Sequence, residues 1–172
     1  MGAELRRPIV LIGPMGAGKT SVGRRVAKAL TIPFVDTDRV IVERHGAIAD
    51  LFREHGEQHF REIERGVVAE SLAEGATVVS LGGGAVLDAS TRILLSDVHV
   101  VLLTVTPEAV ANRIAGHDRP LLHHDGLAAW TSIAESRAPL YAELADLTLD
   151  TSHRPLSHVV DDIVAWVGTE RA

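Results

Sequence analysis

The sequence predicts an α/β protein, one domain built on a parallel sheet of five strands with helices packed against it. Short apolar runs alternate with longer segments of helical period, which is the pattern of successive βαβ units. A glycine-rich stretch after the first apolar run leads straight into the first helical segment, a junction suited to binding phosphate. The length, 172 residues with 46% hydrophobic and 23% charged, fits a single globular domain with a sizeable core.

In chain order, residues 9–12, 34–36, 77–81, 99–105 and 147–150 read as the strands. Residues 19–30 read as the first helix, with Val22, Val26, Ala29 and Leu30 as its apolar stripe. Residues 57–74 repeat that spacing through Phe60, Ile63, Val67, Val68 and Leu72, and residues 155–167 close the chain with Val159, Val160, Ile163 and Val167. The stretch 37–75 is too long for a plain crossover and is predicted to carry an inserted helical part. Residues 115–126, polar and glycine-flanked, are predicted to form a lid. That leaves 8–36, 76–114 and 142–168 as the core of a single domain covering 1–172, with Gly2 to Arg7 as a frayed arm.

Composition narrows the function classes. The net charge is −6, with 17 basic against 23 acidic residues, which argues against a broad basic face for nucleic acid. Apolar runs fall far short of the ~18 residues of a spanning helix, so no membrane partner is expected. The absence of cysteine removes disulfides and thiolate-bound zinc. His55 with His59, and His123 with His124, come without a third ligand at metal spacing. The N-terminus has no apolar signal core, and a cytoplasmic location is the expectation.

Gly13-Pro-Met-Gly-Ala-Gly18-Lys19-Thr20 satisfies G-x-x-x-x-G-K-[ST] between a predicted strand and a predicted helix. Glycines let the backbone wrap round phosphate oxygens and turn its N–H groups inward, while the helix N-terminus adds partial positive charge. Lys19 then supplies a charge to the β- and γ-phosphates and Thr20 a hydroxyl ligand for Mg²⁺. The chain is therefore expected to bind a nucleoside triphosphate with Mg²⁺. No Asn-Lys-x-Asp tetrad is present to read guanine. The second strand instead ends in Asp36-Thr37-Asp38, two carboxylates beside the phosphate site. One can face Mg²⁺ and the other an acceptor hydroxyl; alternatively Asp38 caps a helix over 39–45.

These motifs, with Gly56-Glu-Gln-His-Phe60-Arg61-Glu-Ile-Glu64, Ser80-Leu-Gly82-Gly83-Gly84, Arg119-Pro-Leu-Leu and Arg137-Ala-Pro-Leu-Tyr141, occur in the order and spacing of shikimate kinases. The resemblance runs from about Ile9 to Val167. It implies a P-loop kinase fold with strand order 2-3-1-4-5, an acceptor-binding insertion and a lid. It implies transfer of the ATP γ-phosphoryl to the 3-hydroxyl of shikimate, in the pathway to chorismate, with one Mg²⁺ travelling with ATP. Partners would be ATP and shikimate alone, with the enzyme a monomer. Carried over residue by residue, Lys19, Asp38 and Arg119 would be catalytic. Gly13, Met15, Gly16, Ala17, Gly18, Lys19, Thr20, Ser21, Arg113, Arg119, Arg154 and Pro155 would bind ATP. Asp38, Arg61, Gly82, Gly83, Gly84 and Arg137 would bind the acceptor, and Thr20 and, through water, Asp36 would hold the metal. A guanidinium fork suits a planar carboxylate, which is what Arg61 and Arg137 would meet. Glu64 would orient Arg61, or form a simple i, i+3 surface ion pair with it. Trp130 and Trp166 read as anchors of the core or of a lid helix, not as platforms for stacking bases. Two other readings stand beside this one: a gluconate or other sugar-acid kinase, and a catalytically silent nucleotide-dependent binding module.

Overall fold

The computed structural model describes residues 7–115 and 124–170. Its sheet has five parallel strands, β1 (Ile9–Ile12), β2 (Phe34–Asp36), β3 (Val78–Ser80), β4 (His99–Thr104) and β5 (Leu147–Asp150), in the order β2-β3-β1-β4-β5. Leu11 pairs with both Ser80 and Val101, and Asp36 pairs with Ser80, so the strands end along one common edge.

Both faces of the sheet are covered, which is why its strands read as near-continuous apolar runs. Alternate residues go to opposite cores: Ile9, Leu11, Val101 and Leu103 face one, and Val10, Ile12, Val100 and Leu102 face the other. The first core is closed by α1 (Lys19–Leu30) through Val22 and Val26, and by α7 (Leu156–Glu170) through Val159, Ile163 and Val167. The second is closed by Val68 of α3 (Ile48–Ala73), by Val86 and Leu95 on either side of α4 (Ala89–Leu94), and by Tyr141.

Between β2 and β3 lie α2 (Thr37–His45) and α3, with a small core of their own in Ile41, Leu51, Phe60 and Val67. Gly56, at φ 83°, breaks α3 into two runs, and the second starts at the position the spacing predicts. The ladder is shorter than expected at both central strands. Thr77 and Leu81 lie just outside β3, although Ile9 N donates to Thr77 O at 2.8 Å and Leu81 N to Leu11 O at 3.1 Å. Val105 likewise follows the end of β4.

Three helices have no counterpart in the sequence reading, the short α4 and two longer ones. α5 (Pro107–Ala115) follows β4, and α6 (His124–Leu144) precedes β5 despite Pro139 in its interior. Most of the expected lid, 115–126, lies outside the described residues: residue 115 ends α5, residues 124–126 begin α6, and 116–123 fall between them. α6 places Trp130 in the first core and Tyr141 in the second, so it bridges the two faces.

Candidate active site

The loop between β1 and α1 leaves the sheet sharply. Gly13 has φ 137°, and a Cβ there would land on the carbonyl oxygen of Leu103. Lys19, half-buried at the start of α1, donates from Nζ to Gly13 O at 2.7 Å and Pro14 O at 3.0 Å. Burial lowers its pKa from 10.5 to about 8, against the opposing pull of Asp38 and Asp36. Thr20 Oγ1 donates to Asp36 Oδ2 at 2.7 Å, joining the first turn of α1 to the end of β2.

The neighbouring loop carbonyls are held from outside. Trp130 Nε1 on α6 donates to Met15 O at 2.8 Å. Arg113 Nη1 on α5 donates to Gly16 O at 2.7 Å and Thr151 Oγ1 to Ala17 O at 2.7 Å. Arg113 Nη2 also reaches the Thr151 carbonyl.

A second group converges on the turn after β3. The N-cap of α2 is Asp36, whose Oδ1 accepts from Arg39 N at 3.2 Å, so the capping alternative for Asp38 falls to its neighbour. Asp38 instead lies against Gly82, where a Cβ would stand 2.6 Å from Asp38 Oδ1 and 3.1 Å from Glu64 Oε2. A Cβ on Gly83 would meet Arg137 Nη1 at 3.4 Å, and one on Gly84 would overlap the Arg61 guanidinium. The three glycines are thus the floor on which one carboxylate and two guanidinium groups close in. Burial, reinforced by Asp36, raises the Asp38 pKa above the usual carboxylate range.

Arg61 Nη1 donates to Glu64 Oε1 at 2.7 Å, and Glu64 is only 2% exposed. A surface ion pair is therefore excluded. Burial raises the pKa of Glu64 while the Arg61 hydrogen bond opposes the shift. Tyr141 on α6 donates from its hydroxyl to Gly83 O at 2.6 Å.

Between the two groups lies a cleft of about 680 Å³. Of the expected residues it is lined by Met15, Gly16, Gly18, Lys19, Thr20, Ser21, Asp36, Asp38, Gly82, Gly83, Arg113 and Arg137. Gly13 and Ala17, also in the loop, are buried and do not line the cleft. Arg61 and Gly84, which lie against each other, do not line it, nor do Pro155 and Arg154, the latter paired with Asp162 at 2.7 Å. Arg119 lies outside the described residues. Among the described residues no group of His, Asp and Glu could hold a metal unaided, and none of the helices is long and apolar enough to cross a membrane.

The family model for shikimate kinase matches residues 15–168. The chain belongs to the shikimate kinase family. Shikimate kinases of Thermobifida fusca and Frankia casuarinae are similar at 47% identity over 154 residues and 41% over 162, covering 87% and 93% of this chain and 89% and 72% of theirs. A structure of shikimate kinase from Acinetobacter baumannii in complex with shikimate superposes with a TM-score of 0.88 at 34% identity, covering 97% of this chain and 96% of that one. A gluconokinase from Sinorhizobium meliloti shares the fold, at a TM-score of 0.64 and 22% identity. As a member of the shikimate kinase family the protein is an ATP-dependent phosphotransferase of the shikimate pathway.

Sequence reasoning gave this shikimate kinase cleft no wall from α6 beyond Arg137. Ala129, Trp130, Ile133, Ala134 and Tyr141 supply it. Their spacing of three, four, seven and eight from Arg137 was the available signal, hidden by Pro139 and by side chains of mixed polarity on one helix face.

Proposed function

We propose that the protein transfers the γ-phosphoryl group of ATP to the 3-hydroxyl of shikimate, giving shikimate 3-phosphate and ADP. The observation that carries this reading is the convergence of Asp38, Arg61 and Arg137 on Gly82 to Gly84, across one cleft from Lys19 and Thr20. A small polyhydroxylated carboxylate needs that combination: guanidinium groups for its carboxylate and an oriented acceptor for its hydroxyls. The relative solved with shikimate covers almost the whole chain and supports the same substrate.

In this mechanism Arg61, held by Glu64, and Arg137 grip the acceptor carboxylate. Asp38 accepts a hydrogen bond from the 3-hydroxyl and takes its proton as the oxygen attacks; its raised pKa suits that exchange. A bond forms between that oxygen and the γ-phosphorus while the bond to the β,γ-bridging oxygen breaks, and ADP leaves with the electron pair. Lys19 neutralises the β- and γ-oxygens, and Arg119 adds a second positive charge to the transferring group. The Thr20 hydroxyl and the Asp36 carboxylate are hard oxygen donors on the cleft wall, 2.7 Å apart, and fit Mg²⁺, with Asp36 acting through water. When bound, Mg²⁺ supplies charge neutralisation on the phosphate oxygens. Arg113 and Pro155 flank the adenine in this reading, and the residues of 115–126 cover the cleft to exclude water.

The test is ADP release measured with shikimate, quinate, gluconate or no acceptor. Shikimate should be strongly preferred, with little ADP formed without acceptor. Turnover that follows gluconate and ignores shikimate would replace this reading with a sugar-acid kinase.

A further inference from the structure

Carbonyl oxygens turned toward a bound polyphosphate repel it, so a phosphate loop works only if its carbonyls are directed away. From Gly13 to Ala17 each carbonyl of this loop has a donor: Lys19 Nζ serves Gly13 and Pro14, Trp130 Nε1 serves Met15, Arg113 Nη1 serves Gly16 and Thr151 Oγ1 serves Ala17. Peptide planarity turns the N–H of the following residue the opposite way. Fixing the carbonyls of Met15 and Ala17 therefore fixes the N–H directions of Gly16 and Gly18, while Ala17 N closes a turn on Pro14 O at 3.3 Å.

Two of these donors come from the far end of the chain: Trp130, which also lines the cleft, and Thr151, whose hydroxyl also reaches Thr104 O at 3.2 Å and accepts from Arg113 Nη1 at 3.3 Å. Trp130 is 6% exposed and sits 115 residues from its acceptor; Thr151 is fully buried and 134 residues away. A buried indole N–H needs a partner, and here the partner is a loop whose course depends on Gly13, Gly16 and Gly18, all at positive φ. We infer that Trp130 and Thr151 are positioning residues that hold the carbonyls of Met15 and Ala17 outward and so preform the nest for the ATP phosphates. Their effect reaches the phosphates through the loop, not through contact with the adenine or with shikimate. The inference rests on the proposed ATP site, not on the identity of the acceptor.

Trp130→Phe keeps most of the apolar bulk and removes the donor; Thr151→Val does the same at nearly constant size, and Thr151→Ser restores the hydroxyl. Binding of ADP and of inorganic pyrophosphate is measured by calorimetry, and KM for shikimate and the thermal midpoint are measured alongside. Trp130→Phe and Thr151→Val should each weaken ADP and pyrophosphate by the same factor, about tenfold or about 1.4 kcal/mol. KM for shikimate should change less than about twofold, and Thr151→Ser should recover most of the loss. Weakening of ADP with pyrophosphate unchanged would assign the two residues to the base. A lowered midpoint with unchanged binding in Trp130→Phe would leave them as packing; either result overturns the inference. Wild-type protein that binds ADP but does not consume ATP with shikimate would sink the acceptor reading and leave this one standing. Wild-type protein that binds neither ADP nor pyrophosphate would sink both.

Discussion

Lys19 and Asp38 face each other across the cleft with their pKa values pushed toward one another by burial. For Lys19 the sign is definite. Its folded pKa of about 8 lies below the ordinary lysine value of 10.5, so between them the free protein has lost a proton that phosphate would favour. ADP binding at about pH 9 should therefore take up a proton, and affinity should fall as pH rises through that region. Calorimetry in two buffers of different ionisation enthalpy reads the uptake directly; no uptake would mean that Lys19 keeps its proton in the empty cleft. Lys19→Met should reduce turnover by more than about a hundredfold with the fold retained in circular dichroism. Arg61→Lys keeps a charge but loses the fork, and should raise KM for shikimate about tenfold with KM for ATP nearly unchanged. The motifs named these residues; their surroundings were less legible. The burial of Glu64 depends on Gly82 lacking a side chain and on Asp38 lying alongside, contacts between segments far apart in sequence. Spacing along one helix showed only that Arg61 and Glu64 could meet.

At the scale of elements, α3 offers two glycines with opposite consequences. Gly56 breaks the helix at φ 83° and Gly66 continues it, and neither has an atom within 4 Å of where a Cβ would stand. Backbone conformation alone then decides the outcome. Gly56→Ala should destabilise by about 1 kcal/mol, through a left-handed conformation that alanine resists. Gly66→Ala should stabilise by about 0.5–1 kcal/mol, as an exposed helix interior. In a chain of this length each shifts the thermal midpoint by roughly 2–4 °C per kcal/mol, in opposite directions. α3 and α6 also mark the limit of pattern reading. The second run of α3 was visible because its apolar residues face a core of conventional kind. α6 was not, since its inner face alternates anchors with cleft wall and Pro139 interrupts the donor ladder.

In the whole molecule the parallel order and the P-loop junction were readable because both are written in local runs. The strand order itself came from the family pattern, as nothing local says that β1 will lie between β3 and β4. Every strand end contributes to one edge, and a ligand there touches segments from all over the chain. Binding should accordingly stabilise the fold as a unit. ADP and shikimate, each at about a hundred times its dissociation constant, should add about 2.7 kcal/mol apiece and raise the midpoint by several degrees. The unfolding transition should stay single; a first transition unaffected by ligand would show that the 37–75 insertion melts on its own.

The reach of the hydrogen bonds on the phosphate loop also has a meaning in time. Lys19 is made early, yet the oxygen of Met15 waits for an indole 115 residues later and that of Ala17 for a hydroxyl 134 residues later. On a ribosome the glycine-rich loop emerges long before the groups that shape it. A nascent or truncated chain ending ahead of Thr151 carries the whole P-loop motif and still lacks part of the frame that turns its amides inward. Until residue 151 has been made, the loop lacks a donor that the proposed phosphate nest depends on.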